Sequence, residues 1–327
     1  MTPEPRQPEI AVAVPSHNRA LRLRWLLESM AEQTLPRERF EIAVGHDSSD
    51  ETSELLRTHP LAAAGTLREV AVPPGTGGSG HHRNLAWRAT TAPVVAFIDD
   101  DCRAPADWLE RALAAARRHP GAVVQGAARP DPDEIHLERA APHTYTRRVN
   151  PPTVWADTCN IVYPRELLER LGGFWEEPVW GGEDTDLALR ARKAGAEHVG
   201  APEVVVHHAV EAKSFPAAIR SALRWGDLAL MVKRHPELRE HLPMWVFWKR
   251  SHVWLGPAAL GALMSRRDPR WAALALPYLL HAAPQEYGTG PRGRVRALQE
   301  LPGRAAVDAA EMVSLARGSA RFRTLLL

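Results

Sequence analysis

Residues 93–101 read PVVAFIDDD: an apolar run, Pro93 to Ile98, that ends on three successive aspartates, Asp99-Asp100-Asp101. The β-branched and aromatic residues of the run favour an extended strand, so three carboxylates crowd one strand end. Alternate residues of a strand point the same way, which lets Asp99 and Asp101 act on one side. Adjacent like charges repel, and a divalent cation is the usual relief. Oxygen ligands suit Mg²⁺ or Mn²⁺, ions that keep waters and bind substrate phosphates. The plainer alternative is a solvated acidic turn capping the next helix, and the tripeptide alone leaves both open.

Outward from this point the strand-then-helix order repeats. Upstream, Ile10–Pro15 reads as a strand, and Arg19–Gln33 has helical spacing through Leu23, Leu26, Leu27 and Met30. Phe40–Val44 and Leu67–Val72 are further strands, with a helix to about Thr58 between them and another near His82–Thr90. Downstream come a helix over Pro105–Arg118 and a short strand at Val123–Gln125. These units predict an α/β, Rossmann-like fold with a mostly parallel sheet flanked by helices. Ligands of such sheets bind beyond the carboxyl ends of the strands. The polar clusters after Val14, Val44, Val72 and Ile98 would share that edge.

From Ala127 to Trp155 the pattern dissolves into a long stretch containing loops. It resumes as a strand over Thr158–Tyr163, helices over Pro164–Leu171 and Glu183–Ala194, and a strand over Val204–His208. Beyond about Glu211 the chain reads as mostly helical: Ser214–Arg234, Glu237–Arg250, apolar segments Val253–Met264 and Trp271–Ala283, and Arg304–Arg317. The expected division is a first domain over residues 1–212 and a helical C-terminal region over residues 213–327.

Composition bounds the function. Hydrophobic residues make up 45% and charged residues 24%, as in an ordinary globular protein, and a formal charge of +2 implies no nucleic-acid-binding field. Two cysteines, Cys102 and Cys159, make no disulfide framework, and the start MTPEPRQPEI lacks a basic region followed by an apolar run. A cytoplasmic location is the default expectation.

Three further clusters invite chemistry. Gly75-Thr76-Gly77-Gly78-Ser79-Gly80 fits G-x-G-x-x-G between a strand and a helix, with an acid about twenty residues on, which raises an NAD-dependent oxidoreductase as a rival. Pro73 and Pro74 separate the strand from the glycines, and a dinucleotide site gives no reason for three acids. Gly181-Gly182-Glu183-Asp184-Thr185-Asp186 opens a helix, where the acids either cap it or hold a base near a reacting hydroxyl. His207-His208 closes a strand and is either structural or a metal ligand.

In order along the chain, these segments resemble glycosyltransferase family 2, an inverting family with the GT-A fold. Val12-Ala13-Val14-Pro15-Ser16-His17-Asn18-Arg19 resembles its first strand and P-T-Y-N-R turn, and Glu41 to Asp50 resembles E-I-I-V-V-D-D-G-S-x-D. Gly80 to Ala86 is similar to G-x-x-x-A-R-N-x-G, and Phe97 to Asp101 to the D-x-D element. Leu171-Gly172-Gly173-Phe174 and Gly181 to Leu187 resemble L-G-G-F-D-E and G-E-D-x-D-L. The likeness spans about residues 9–210 and accounts for the glycine loop without a dinucleotide.

The resemblance implies a nucleotide-sugar donor, a divalent metal (Mg²⁺ or Mn²⁺) and transfer to an acceptor hydroxyl on a glycan, lipid-linked or small molecule. It implies Asp184 as the catalytic base. Asp47 would accept a hydrogen bond from the nucleotide's base, Pro15, Asn18 and Arg19 would shape the nucleotide pocket, and Arg83, Asp99, Asp100 and Glu183 would contact the nucleotide sugar. Asp101, with Asp99 and one of His207 and His208, the first favoured, would hold the metal. His17 stands where Tyr is common, His46 where the first Asp of the D-D pair is common, and Trp175 where the Asp of G-G-F-D-E is common. UDP is therefore the default, with dTDP and GDP sugars open. A non-catalytic nucleotide-sugar-binding protein is the remaining alternative. In the C-terminal region, Trp245, Phe247, Trp248 and Trp254 lie among Lys249, Arg250 and His252, and a second apolar run follows Arg266, Arg267 and Arg270. Packing on the first domain, homo-oligomerisation and peripheral membrane contact all stay open for these helices.

Overall fold

The computed structural model describes residues 7–177, 181–282 and 290–327. The chain divides into two compact units, Met1–Glu134 with Thr146–Ala209, and Ile135–Tyr145 with Val210–Leu327.

The first unit begins with β1 (Ile10–Ser16), α1 (Ala20–Ala31), β2 (Phe40–His46), α2 (Thr52–Thr58), α3 (Pro60–Ala63) and β3 (Leu67–Ala71). It continues through α4 (Ser79–Arg88), β4 (Val94–Ile98), β5 (Cys102–Arg103), α5 (Trp108–Arg118) and β6 (Val123–Pro130). The segment α6 (His136–Ala140) and β7 (Thr144–Tyr145) belongs to the second unit. The first unit then resumes with β8 (Asn160–Pro164), α7 (Arg165–Leu171), α8 (Glu183–Lys193) and β9 (His198–His208).

Its eight strands form one sheet in the order β3-β2-β1-β4-β8-β6-β9-β5. β1 runs parallel to β2 and β4, β2 to β3, and β6 to β9, while β8 is antiparallel to β4 and β6, and β5 to β9. The sheet is thus parallel on the β1–β4 side and mixed beyond it. β1 is buried along its whole length, and its alternation explains why. Ile10, Val12 and Val14 face one core with Leu23, Leu26, Leu27, Met30, Trp108 and Leu109 of α1 and α5. Ala11 and Ala13 face another with Trp87 of α4, Leu167 of α7 and Leu187 of α8. In the shared register Ser16 pairs with His46 and His46 with Ala71, so the polar segments after β1, β2 and β3 emerge side by side.

Several elements differ from expectation. β6 runs to Pro130 and β9 starts at His198, because their pairing continues across a register shift at Gly126/Ala127 that leaves extra residues in β9. Asn160 takes up the freed carbonyls, donating its amide to Ala127 O and Val204 O, both at 2.8 Å. Gly126 permits this, since a Cβ there would lie 2.2 Å from the Asn160 amide. Two-residue β5 carries too short a pattern to be read from sequence.

The second unit contains β10 (Glu211–Ala212), paired antiparallel with β7, then α9 (Phe215–Ala222), α10 (Leu228–Arg234), α11 (Arg250–Met264), α12 (Leu276–Ala282) and α13 (Pro291–Phe322). The expected helix over Glu237–Arg250 is instead two 3₁₀ turns, Pro236–His241 and Pro243–Trp245, with Met244 and Trp245 at positive φ. Each proline restricts the residue before it and removes an N–H that a continuous helix would use. The expected helix at Arg304–Arg317 is the middle of α13. Ala283, the end of the second apolar segment, and the first six residues lie outside the described residues. No helix among the described residues is long and apolar enough to cross a membrane.

Candidate active site

The three aspartates leave β4 at the carboxyl edge of the sheet, and each is held differently. Asp100 accepts from Ser16 Oγ at 2.8 Å, and burial, then the Asp101 charge, pushes its carboxyl up to about 7. Asp101 Oδ2 accepts from Arg19 Nη1 at 2.6 Å, while its Oδ1 is buried without a hydrogen-bond partner. Asp99 Oδ1 accepts from Arg83 Nη2 at 2.7 Å. Burial opposes ionisation of Asp99, but Arg83 outweighs it and holds the carboxyl below its usual range.

β9 brings the histidines to this turn. Cys102 pairs with His208 and Arg103 with His207, and Ala209 N donates to Asp101 O at 2.9 Å. Successive strand residues face opposite ways, so only one imidazole can meet Asp101. It is His208: its Nε2 lies 3.5 Å from Asp101 Oδ1, and its Nδ1 lies 2.8 Å from Ala209 O. The structure brings His208, rather than the first-favoured His207, to Asp101. His207 sits on the Asp131–Arg103 side, and burial lowers its imidazole. Asp101, Cys102 and His208 offer ligand atoms within 4.8 Å of one another. A buried carboxylate oxygen without a hydrogen bond, facing an imidazole nitrogen, fits a divalent cation. The Cys102 thiol, pushed well up by burial, stays protonated and adds no charge. Asp99 turns to Arg83 instead and is not among these ligand atoms.

Arg83 joins the acid turn to the start of α8. One of its nitrogens donates to Asp99 Oδ1 and another to Glu183 Oε1, each at 2.7 Å, and Ser79 Oγ donates to the same glutamate oxygen at 2.5 Å. Asp184 follows in the first turn of α8, within the electrostatic reach of Arg83. Burial, then the charges of Glu183 and Asp157, pushes the Asp184 carboxyl up to about 7. The chain ahead of α8 is held against the start of α4: Gly80, in the first turn of α4, has room for no side chain, since a Cβ would lie 2.4 Å from Trp175 O. Sequence reasoning missed the neighbouring support of buried Asn84. Its amide donates to Phe174 O at 2.8 Å and Glu176 Oε1 at 2.6 Å, and accepts from Phe174 N and Trp87 Nε1, both at 2.9 Å.

Asp47 stands at the end of β2. Its Oδ2 accepts from Gly75 N at 2.8 Å, and its Oδ1 lies 2.5 Å from His17 Nδ1 and 3.5 Å from His82 Nε2. Burial raises its carboxyl, but these imidazoles outweigh that and hold it below the usual range. Asn18, at φ 52°, bridges the loops after β1 and β2 by accepting from Ser49 N and taking Ser48 Oγ as partner for its own N–H. Pro15 is buried within β1. His46 turns away from this group, 1% exposed, with Nε2 3.2 Å from Glu69 and Nδ1 accepting from Ser48 N. The Gly75–Gly80 loop follows β3 at the sheet edge, and its first glycine is bound to Asp47. Residues 72–78 separate β3 from α4, so the tight strand-to-helix turn of a dinucleotide fingerprint is absent.

Comparison with known proteins gives two family matches: Glycosyl transferase family 2 over residues 11–172, and Glycosyl transferase family group 2 over residues 94–284, more than half of the chain. A validoxylamine A glucosyltransferase from Streptomyces hygroscopicus subsp. jinggangensis is 29% identical over 74% of this chain and 63% of its own length. A pre-mycofactocin glycosyltransferase from Mycobacterium tuberculosis is 27% identical over 71% of this chain and 49% of its own. The chain thus spans less than two thirds of the length of these relatives. Among solved structures, a Pyrobaculum calidifontis mannosyltransferase in complex with GDP-Man and Mn²⁺ is 25% identical with a TM-score of 0.57, covering 95% of this chain and 88% of that one. A Staphylococcus aureus TarS fragment in complex with UDP-GlcNAc shares the fold at 18% identity, with a TM-score of 0.53 over 97% of this chain and 92% of the fragment. With its sheet order, its acid turn after β4 and these matches in agreement, the chain belongs to glycosyltransferase family 2 and has the GT-A fold.

Proposed function

We propose that this chain transfers a sugar, with inversion, from a nucleotide diphosphate sugar to an acceptor hydroxyl. The observation that carries the reading is the Arg83 bridge, which joins Asp99 of the acid turn to Glu183, next to Asp184, through two contacts of 2.7 Å. The bridge supports a donor anchor at Asp99 standing near a base at Asp184.

Asp184 is the proposed base: it takes the proton of the acceptor hydroxyl as that oxygen attacks the anomeric carbon. The bond to the diphosphate breaks on the opposite face. A carboxyl poised at about 7 suits this task near neutral pH, and a positioned base contributes about 10²–10⁴-fold. Asp101 and His208 are the proposed metal ligands. A divalent cation held there supplies charge stabilisation for the leaving diphosphate. Asp47, Asn18 and Pro15 line the base end, Asp99 and Arg83 meet the ribose or sugar, and Asp100 and Glu183 hold these groups in position. Arg19 is poised to exchange its Asp101 contact for donor phosphate. UDP is the expected nucleotide. For the second unit, peripheral membrane contact is the reading its exposed apolar helices support.

Two measurements test the chemistry. A thermal-shift panel with Mn²⁺ should show stabilisation by UDP, or by dTDP or GDP, and none by NADH; stabilisation by NADH alone would overturn the reading. Asp184→Asn should lose most turnover while keeping donor affinity nearly intact. Substantial remaining transfer would remove Asp184 from the role.

A further inference from the structure

The hairpin formed by α11, the turn at Pro269–Ala275 and α12 turns its apolar residues both inward and outward. Inward, Ala258, Tyr278 and Ala282 pack with Leu301 of α13, and Trp254, Leu255, Ala275 and Leu279 close around them. Gly261 lets α11 and the turn touch, because a Cβ there would lie 2.7 Å from Trp271 O. Outward, a water-facing helix should present polar residues. Here Leu260 and Leu263 of α11 are 49% and 61% exposed, and Leu276 and Leu280 of α12 are 55% and 70% exposed. Trp271 in the turn between them is 42% exposed. The spacing of each pair, three and four residues, makes a stripe on its helix.

Among residues 250–282 the exposed charges have one sign. Arg250, Arg266, Arg267 and Arg270 are exposed, and Asp268 is the only acid in residues 250–282. Asp268 is half-buried, and its carboxylate is taken up in accepting from Arg270 N at 2.9 Å. A second copy of this chain docking face to face would bring arginine rim against arginine rim, with no exposed acid among residues 250–282 to answer it. An anionic bilayer answers both features: the arginines meet headgroup phosphates, and the leucines and tryptophan enter the acyl boundary. At 15 residues, α11 spans about 22 Å, too short to cross a hydrocarbon core of ~30 Å, so the hairpin lies in the interface.

We infer that the Leu260, Leu263, Trp271, Leu276 and Leu280 face, rimmed by Arg266, Arg267 and Arg270, seats this chain on the surface of an anionic phospholipid membrane. The inference deepens the peripheral contact proposed above and is independent of the transfer chemistry, because it is read by lipid binding alone.

The test is flotation of the purified full chain with phosphatidylserine/phosphatidylcholine vesicles and with pure phosphatidylcholine vesicles. Binding should favour the anionic vesicles and weaken as salt rises. Each arginine is worth roughly fivefold, so Arg266→Gln, Arg267→Gln and Arg270→Gln together should weaken binding on the order of 100-fold. Leu263→Ser with Leu280→Ser should also release the chain. Both positions are exposed, so an unchanged melting temperature separates lost docking from lost folding. The inference is overturned by absent binding to anionic vesicles, by equal binding to both vesicle types, or by a stable dimer that Leu263→Ser converts to monomer. Donor binding, read separately by thermal shift, reports on the catalytic reading whatever the vesicles show.

Discussion

Replacing Arg83 by Met should destabilise the first unit by about 3 kcal/mol, and the loss should shrink in acid. Arg83 has 6% of its side chain exposed, and its two ion-pair partners, Asp99 and Glu183, have 26% and 10%. Methionine keeps the length and apolar stem but leaves both carboxylates without their cation. Breaking a buried pair from one side costs roughly 3–5 kcal/mol, and the partial exposure of Asp99 places the expectation at the lower end. For a unit of this size each kcal/mol moves the melting temperature by roughly 2–4 °C, so the fall should be on the order of 6–12 °C. The sign with pH follows from the same contacts. In the native chain Asp99 is held low, so its contribution is fully present above the usual carboxylate range and lost as pH falls through its lowered value. In Arg83→Met, burial without its cation raises the Asp99 carboxyl, which protonates as the pH drops. Differential scanning fluorimetry at pH 8 and pH 5 should show the gap between the two proteins closing toward acid. Superimposable melting curves at pH 8, or a gap that widens in acid, would refute the reasoning.

The remaining predictions divide among base, metal and scaffold. With Asp184 near 7, donor-saturated turnover should rise about tenfold per pH unit below that value and level off above it, as a pH–rate profile would show. The raised carboxyl also costs stability once ionised, so Asp184→Asn should melt higher than the native chain at pH 8 and alike at pH 4. His208→Ala should weaken Mn²⁺ binding measured by calorimetry, while His207→Ala should leave it nearly unchanged; the reverse order would undo the metal assignment. Arg19→Gln should tighten Mn²⁺ binding to the donor-free chain, because the guanidinium 2.6 Å from Asp101 competes for that carboxylate. Asn84→Ala should cost about 1–3 kcal/mol in urea unfolding, since it strands the Phe174 N–H and the Trp87 indole.

Legibility in the sequence followed the range of the interactions. Helix α1 and strands β1 to β4 were readable because burial imposes local periodicities on them, and their shared carboxyl edge followed from repetition. The acid turn was readable because its three residues are adjacent. By contrast, Arg83 meets Glu183 across 100 positions, and Asn84 meets Phe174 across 90. Nothing local marks such partners: Asn84 falls within the Gly80–Ala86 motif, whose pattern carries no sign of its bracing role. The antiparallel β8 and the two-residue β5 follow from pairing, which an apolar run does not encode. The second unit was less legible: Pro243 interrupts the single helix expected over Glu237–Arg250.

The slack in β9 has a genetic consequence. Pairing jumps from Gly126↔Ala201 to Ala127↔Val205, so residues 202–204 form a length of chain that the neighbouring strand does not measure out. Beyond it, strand parity alone decides which of two adjacent imidazoles turns to Asp101. Deleting one codon from that slack, if β9 is drawn straight and its end keeps its pairing with β5, would leave the ladder intact. Inserting one further downstream, after Val205, would carry His207 into the place of His208 and His208 into that of Ala209.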